Sequence, residues 1–218
     1  MPEHVDSREP RSSYSRRARQ NWLNPEAGRG KAERPDMKAE NVIGPASIVD
    51  KPERPYLGLR FETPFGGMFA LVTKALKELR TWAHENGLSE QAPYFLRYYH
   101  CDMKSIMEVE VGLVTSSVLP GDERIKPGVL PAGRYATLVY RGNGLRGNQA
   151  LMKWAKDSGI AFDPLVADRA ESYACRYEAY LTDHRVEPRK LLWDVELSIK
   201  IADQVRLRPS YRPLSKSP

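Results

Sequence analysis

Thr81-Trp82-Ala83-His84-Glu85-Asn86-Gly87-Leu88 recurs 72 positions later as Lys153-Trp154-Ala155-Lys156-Asp157-Ser158-Gly159-Ile160, with the Trp and the Gly keeping their spacing. Outward from it, Pro52, Tyr56, Leu59 and Phe61 are answered 79 positions later by Pro131, Tyr135, Leu138 and Tyr140. Phe95-Leu96-Arg97-Tyr98 resembles Ala174-Cys175-Arg176-Tyr177 at that same offset, and Met107-Glu108-Val109-Glu110-Val111 resembles Trp193-Asp194-Val195-Glu196-Leu197. Strand, helix, strand, strand therefore occurs twice in one order. Two long copies are not a solenoid, which stacks several short ones. They predict two halves about a pseudo-twofold axis, and a seam between halves is a natural pocket.

The segments 46–49 and 55–61 read as the first two strands. Residues 68–85 read as a helix, because Phe69, Val72, Leu76, Leu79 and Ala83 recur at intervals of three and four, and Gly87 suits the left-handed cap that ends it. Strands follow at 94–101 and 106–114, the latter alternating Met107, Val109 and Val111 with Glu108 and Glu110. The second copy repeats the plan: strands at 124–126 and 133–141, a helix over 145–157 capped by Gly159, then strands at 173–181 and 192–201. The expected class is α+β: a tandem duplication of a βαββ unit, about 46–116 and 122–202, forming antiparallel sheet with two main helices on one face and a central pocket. Residues 1–45 and 203–218 are rich in Arg, Ser and Pro and poor in apolar side chains, so they read as disordered tails.

With 218 residues and 41% hydrophobic content the chain can bury a sizeable core. Its net charge of +6 is concentrated outside that core. Residues 1–41 hold nine Lys/Arg against seven Asp/Glu, and 203–218 hold four against one, which leaves the core near +1. Basic tails attract polyanions without reading sequence, so sequence-specific nucleic-acid binding is not expected. No apolar run approaches the roughly 18 residues needed to span a bilayer, and the first residues lack the apolar segment of a secretory signal, so a cytoplasmic location and no membrane partner are expected. Cys101 and Cys175 lack CxxC spacing and read as small core residues. The histidines are scattered without ligand spacing, and neither a metal nor a cofactor is expected.

Glu178 is the residue that stands out. It lies in Tyr173-Ala174-Cys175-Arg176-Tyr177-Glu178-Ala179-Tyr180-Leu181, and period two puts Arg176, Glu178 and Tyr180 on one face. One reading is a counter-charge for a cationic or polarised ligand, or a general acid/base whose pKa is raised by desolvation. The other is a salt bridge to Arg176. At the offset of 79 the first copy carries Tyr99 at this position, so the carboxylate occurs once. Aromatics crowd the strands, and walls of rings with one acid suit flat cations; strands also favour aromatics for packing alone. Trp82 and Trp154 read as packing between helix and sheet. Glu108/Glu110 and Asp194/Glu196 alternate with apolar residues and read as a solvated strand face. The turn Arg141-Gly142-Asn143-Gly144 lacks phosphate-loop spacing and reads as a plain turn with a helix N-cap.

Leu130-Pro131-Ala132-Gly133-Arg134-Tyr135-Ala136-Thr137-Leu138-Val139-Tyr140-Arg141-Gly142, with Tyr177-Glu178-Ala179-Tyr180-Leu181-Thr182-Asp183 and Trp193-Asp194-Val195-Glu196-Leu197-Ser198-Ile199, resembles the GyrI-like effector-binding domain. The resemblance covers roughly 46–202. It implies a pair of βαββ units enclosing a pocket for bulky hydrophobic, aromatic or cationic small molecules, with Glu178 as the pocket's acid. Tyr180, Tyr140 and Trp193 match motif positions, and Tyr99 and Phe61 are expected beside them as ligand contacts. Family members that regulate transcription carry a helix-turn-helix region, for which the 45 residues ahead of the domain are too short and too polar, so a stand-alone member is expected. The leading expectation is a small-molecule-binding protein. A second is a hydrolase of electrophilic, cyclopropane-type xenobiotics, with Glu178 and Tyr180 catalytic. A third is a protein-interaction module acting on a partner such as DNA gyrase. Sheet edges make a homodimer plausible.

Overall fold

Alternation of apolar with polar or small side chains decides the strands. The computed structural model describes residues 40–88, 93–102, 104–165 and 172–203. Its strands are β1 (Val42–Ile43), β2 (Ser47–Lys51), β3 (Arg54–Pro64), β4 (Tyr94–His100), β5 (Ile106–Val114), β6 (Lys126–Leu130), β7 (Gly133–Arg141), β8 (Arg176–Tyr180) and β9 (Asp194–Lys200). They form one antiparallel sheet in the order β1-β7-β9-β8-β4-β5-β3-β6, with β2 also on β7. β1 lies within the segment read as a tail, because Val42 and Ile43 pair with Arg141 and Tyr140. Residues 1–39 and 204–218, also read as tails, lie outside the described residues.

The helices are α1 (Met68–Glu85) and α2 (Gly144–Asp157). Gly87 at φ +67° and Gly159 at φ +66° close them, the left-handed conformation that the repeated glycine demands. The Asn143 side chain caps α2 by accepting from the Leu145 amide at 2.9 Å. Both helices share one sheet face. Val72, Leu76 and Leu79 of α1 and Leu151 of α2 join Leu57, Leu96, Val109, Leu138 and Leu197 of the strands in one core, each such side chain contributing about 1.5–3 kcal/mol on burial. Phe69 departs from the expected apolar stripe. It is 52% exposed because Met68, one position earlier, takes the inward place.

α1 packs on β3 and β5, and α2 packs on β7. The strands between, β9, β8 and β4, therefore run through the gap separating the helices. That gap holds the pseudo-twofold axis, where β4 and β8 pair antiparallel. The outer strands exchange: β2, from the first half, pairs with β7 of the second, and β6, from the second half, pairs with β3 of the first. Each half thus completes the other's sheet edge.

The pairings correct one equivalence. Gly58 stands opposite Gly112 and Thr137 opposite Ser198, which makes Gly112 and Ser198 counterparts. Phe95 faces Gly112 and Tyr177 faces Ser198. The third strands therefore correspond at an offset of 82, not 79. Glu178 is the counterpart of Leu96, and Tyr180 of Tyr98. The loops ahead of these strands differ in length, and an odd slip in a strand exchanges its faces.

Candidate functional site

Glu178 projects from β8 onto the helix face of the sheet and is only 6% exposed. A carboxylate in such a place must be hydrogen-bonded and charge-compensated. Tyr98, on neighbouring β4, donates its hydroxyl to Oε2 at 3.2 Å. Asn148 of α2 donates Nδ2 to Oε1 at 2.9 Å. The direct ion pair with Arg176 is not formed. Asn148 stands between instead, its Oδ1 accepting from Arg176 Nη2 at 2.6 Å. The buried Arg176 guanidinium lies over the rings of Tyr173 at 4.8 Å and Tyr98 at 5.5 Å, and its Nε has no hydrogen-bond partner among the described residues.

Tyr140 reaches Glu178 from β7, two strands away. Its ring lies against α2, where a Cβ at Gly147 would fall 2.6 Å from it and one at Gly144 would fall 2.8 Å from its hydroxyl. The two glycines weaken the helix and make room for the phenol. Tyr180 stacks edge-on with Trp193 at 5.4 Å, and Trp193 Nε1 donates to the Glu187 carbonyl at 2.6 Å, tying down the loop between β8 and β9. That loop ends in a 3-10 helix, Lys190–Leu192. Lys190 Nζ donates to the Tyr180 hydroxyl at 3.3 Å and lies over the rings of Tyr180 at 4.8 Å and Phe69 at 5.4 Å. Burial pulls the Lys190 pKa down, and the Glu178 charge opposes that shift.

The structure thus brings together Glu178, Tyr180, Tyr140 and Trp193. It places Phe61 on the same face but on β3, three strands from β8. Tyr99 stands on the opposite face, donating its hydroxyl to Glu110 at 2.7 Å. It sits at the irregularity in β4 between Tyr98 and His100. Asn148 and Lys190 escaped the sequence reading, and Tyr98 entered it only as one of the strand aromatics. Asn148 carried a signal, a polar residue on the stripe that contains Gly147, Leu151 and Ala155. Two of the clefts among the described residues have volumes of about 550 Å³ and about 750 Å³, and Glu178 lines neither of these. Lys190 and the rings of Tyr98, Tyr140 and Tyr180 stand around it. No group of three or more metal-ligating side chains occurs among the described residues, and no described helix is long and apolar enough to cross a membrane.

Burial first, and the Glu178 charge second, hold the Tyr98, Tyr140 and Tyr180 phenols above their ordinary range. In the unfolded chain these phenols ionise near pH 10. The native state keeps protons that the unfolded state surrenders, so this contribution to stability is intact below pH 10 and lost as pH rises toward the folded pKa values. The melting temperature is expected to fall steeply above pH 10, with phenolate absorbance of these residues appearing together with unfolding. Ionisation of all the tyrosines near pH 10 in the folded protein would show that the cluster is open to water.

The sequence matches a family model described as GyrI-like small molecule binding domain over residues 45–202. No curated protein matches it. Among solved structures, the EcmrR C-terminal domain is 19% identical, covers 73% of this chain and 98% of that one, and superposes with a TM-score of 0.54. EcmrR in its complex with DNA is 20% identical with a TM-score of 0.56; the match covers 73% of this chain and spans 57% of that chain's length. An uncharacterized conserved protein from Listeria innocua is 12% identical, with 72% and 92% of the two chains covered and a TM-score of 0.53. At these identities the likeness to solved structures is one of fold.

Proposed function

Because the chain belongs to the GyrI-like small-molecule-binding family, we propose that it holds a bulky hydrophobic or cationic aromatic compound between α1 and α2, with Glu178 as the acidic centre. The observation that carries this reading is the position of Lys190. An ammonium already rests against two rings and within the field of a buried carboxylate, so the cage suits a cation by the test of its own side chain. Phe69, at 52% exposure, and Leu191, at 60%, offer apolar surface beside it for a bulky body. A ligand enters by displacing Lys190 from the rings of Phe69 and Tyr180.

Tryptophan fluorescence should follow binding, since Trp193 is part of the wall. In a titration against neutral and cationic aromatic compounds, Glu178→Gln is expected to weaken cations by about tenfold or more, the worth of one charge-assisted contact of about 1.5–3 kcal/mol, and to leave neutral compounds nearly unchanged. Equal loss for both kinds would remove Glu178 from its role as counter-charge. Mass spectrometry of the recovered compound separates binding from turnover.

Lys190→Ala acts in the other direction. Cation–π contact of about 1–2 kcal/mol holds the lysine in place, so removing this internal competitor should tighten aromatic cations by about 5- to 30-fold. Unchanged or weaker binding in Lys190→Ala would mean that the lysine does not occupy the ligand's position.

A further inference from the structure

The sheet face away from the helices carries a second buried carboxylate, Glu110, which the sequence reading assigned to a solvated face. It is 5% exposed, because Tyr56 and Tyr99 cover it. Its Oε2 accepts from both phenols at 2.7 Å, and the buried Arg97 reaches it only through Tyr56, donating to that hydroxyl at 3.2 Å. Glu110 forms no ion pair among the described residues, and its Oε1 no hydrogen bond.

The second half of the protein shows what completes such a site. There Glu196 is the counterpart of Glu110 and Tyr135 of Tyr56. Lys51, from the exchanged strand β2, pairs with Glu196 and lies over the rings of Tyr177 at 5.5 Å and Tyr135 at 6.0 Å. Lys51 faces Gly133 in the ladder, and the residue in the same place in the first half, facing Arg54, is Leu130. The first half lacks the ammonium. It also has glycine where the second half has bulk: Gly58 for Thr137, and Gly128 for Val49. A Cβ at Gly58 would fall 2.4 Å from Glu110 Oε1, and one at Gly128 would fall 2.3 Å from the Tyr56 ring. What remains is an open cleft of about 550 Å³ lined by Glu110, Tyr56, Tyr99, Arg97 and Lys126.

We propose that this cleft is a second ligand site, which takes a small dipolar molecule of the amino-acid type. The ligand's ammonium pairs with Glu110 beside the hydroxyls of the two phenols, as Lys51 pairs with Glu196. Its carboxylate meets Lys126, which forms no ion pair among the described residues, and Arg97, whose buried Nε has no partner there. The other two cations of the rim are committed, Arg60 to Glu108 and Arg124 to Glu78. The cleft's lining carries four cations against two carboxylates, Glu110 and the exposed Glu123, so a bare amine would face excess positive charge and a bare carboxylate would face Glu110; a dipole satisfies both ends.

Calorimetric titration with each common L-α-amino acid, and with its amide and its N-acetyl derivative as single-ended controls, tests the assignment. At least one amino acid should bind saturably, with both derivatives at least tenfold weaker. Leu130→Lys supplies from within the chain the ammonium that Lys51 supplies in the other half, and should abolish binding with the circular dichroism spectrum unchanged. Glu110→Gln should weaken binding at least tenfold, whereas Glu178→Gln, on the other face, should leave it unaltered. Binding by none of the amino acids, or binding that survives both Leu130→Lys and Glu110→Gln, would overturn the proposal.

Discussion

Arg176→Met is expected to cost about 3–5 kcal/mol of stability, the penalty for leaving a buried carboxylate without its compensating charge. Arg176 and Glu178 are 8% and 6% exposed, and Asn148 links them through hydrogen bonds of 2.6 and 2.9 Å. Adding Glu178→Gln to Arg176→Met removes the stranded charge and should recover about 0.5–3 kcal/mol of the loss as a coupling energy. Urea denaturation of the two single variants and the double variant measures this directly. A loss below about 1 kcal/mol in Arg176→Met would mean that Glu178 does not depend on Arg176. The same variant should bind aromatic cations more tightly, because the ligand then supplies the missing charge.

Gly112→Val is expected to cost about 3 kcal/mol, the upper end of ordinary overpacking. A Cβ there would fall 2.1 Å from the Phe95 ring. That ring is 1% exposed and held edge-on between Tyr56 at 5.0 Å and Tyr177 at 6.0 Å, so it has nowhere to go. At about 2–4 °C per kcal/mol for a chain of this size, the melting temperature should drop by about 6–12 °C. Gly66→Ala is the control. No atom lies within 4 Å of a Cβ there, and the change should be close to neutral.

The repeat made the architecture legible because both copies keep the residues that fold locally. The Trp-x4-Gly segment ends each helix, and alternating apolar residues mark each strand, so order and class followed from sequence alone. Face parity in β4 did not follow. It depends on loop lengths that the repeat does not conserve, and a slip of three residues, an odd number, moved Tyr99 onto the helix face and hid Tyr98. The burial of Glu110 was hidden for a different reason. Its cover comes from Tyr56 and Tyr99 on other strands, and β6, an exchanged strand of the other half, lines the cleft beside it, which no local pattern announces. Glu178 was visible as the one carboxylate in an aromatic strand. Lys190 was not, because it sits in a polar connection without periodicity and gains its meaning only where that connection folds back over Tyr180 and Phe69.

The structure of the protein crystallised with the tightest-binding aromatic cation from the fluorescence titration bears most directly on the Glu178 chamber. The cation should lie between Phe69 and Tyr180, within reach of Glu178, with the Lys190 ammonium displaced toward solvent. A cation bound elsewhere, with Lys190 still resting on both rings, would show that the chamber around Glu178 is core and not a ligand site.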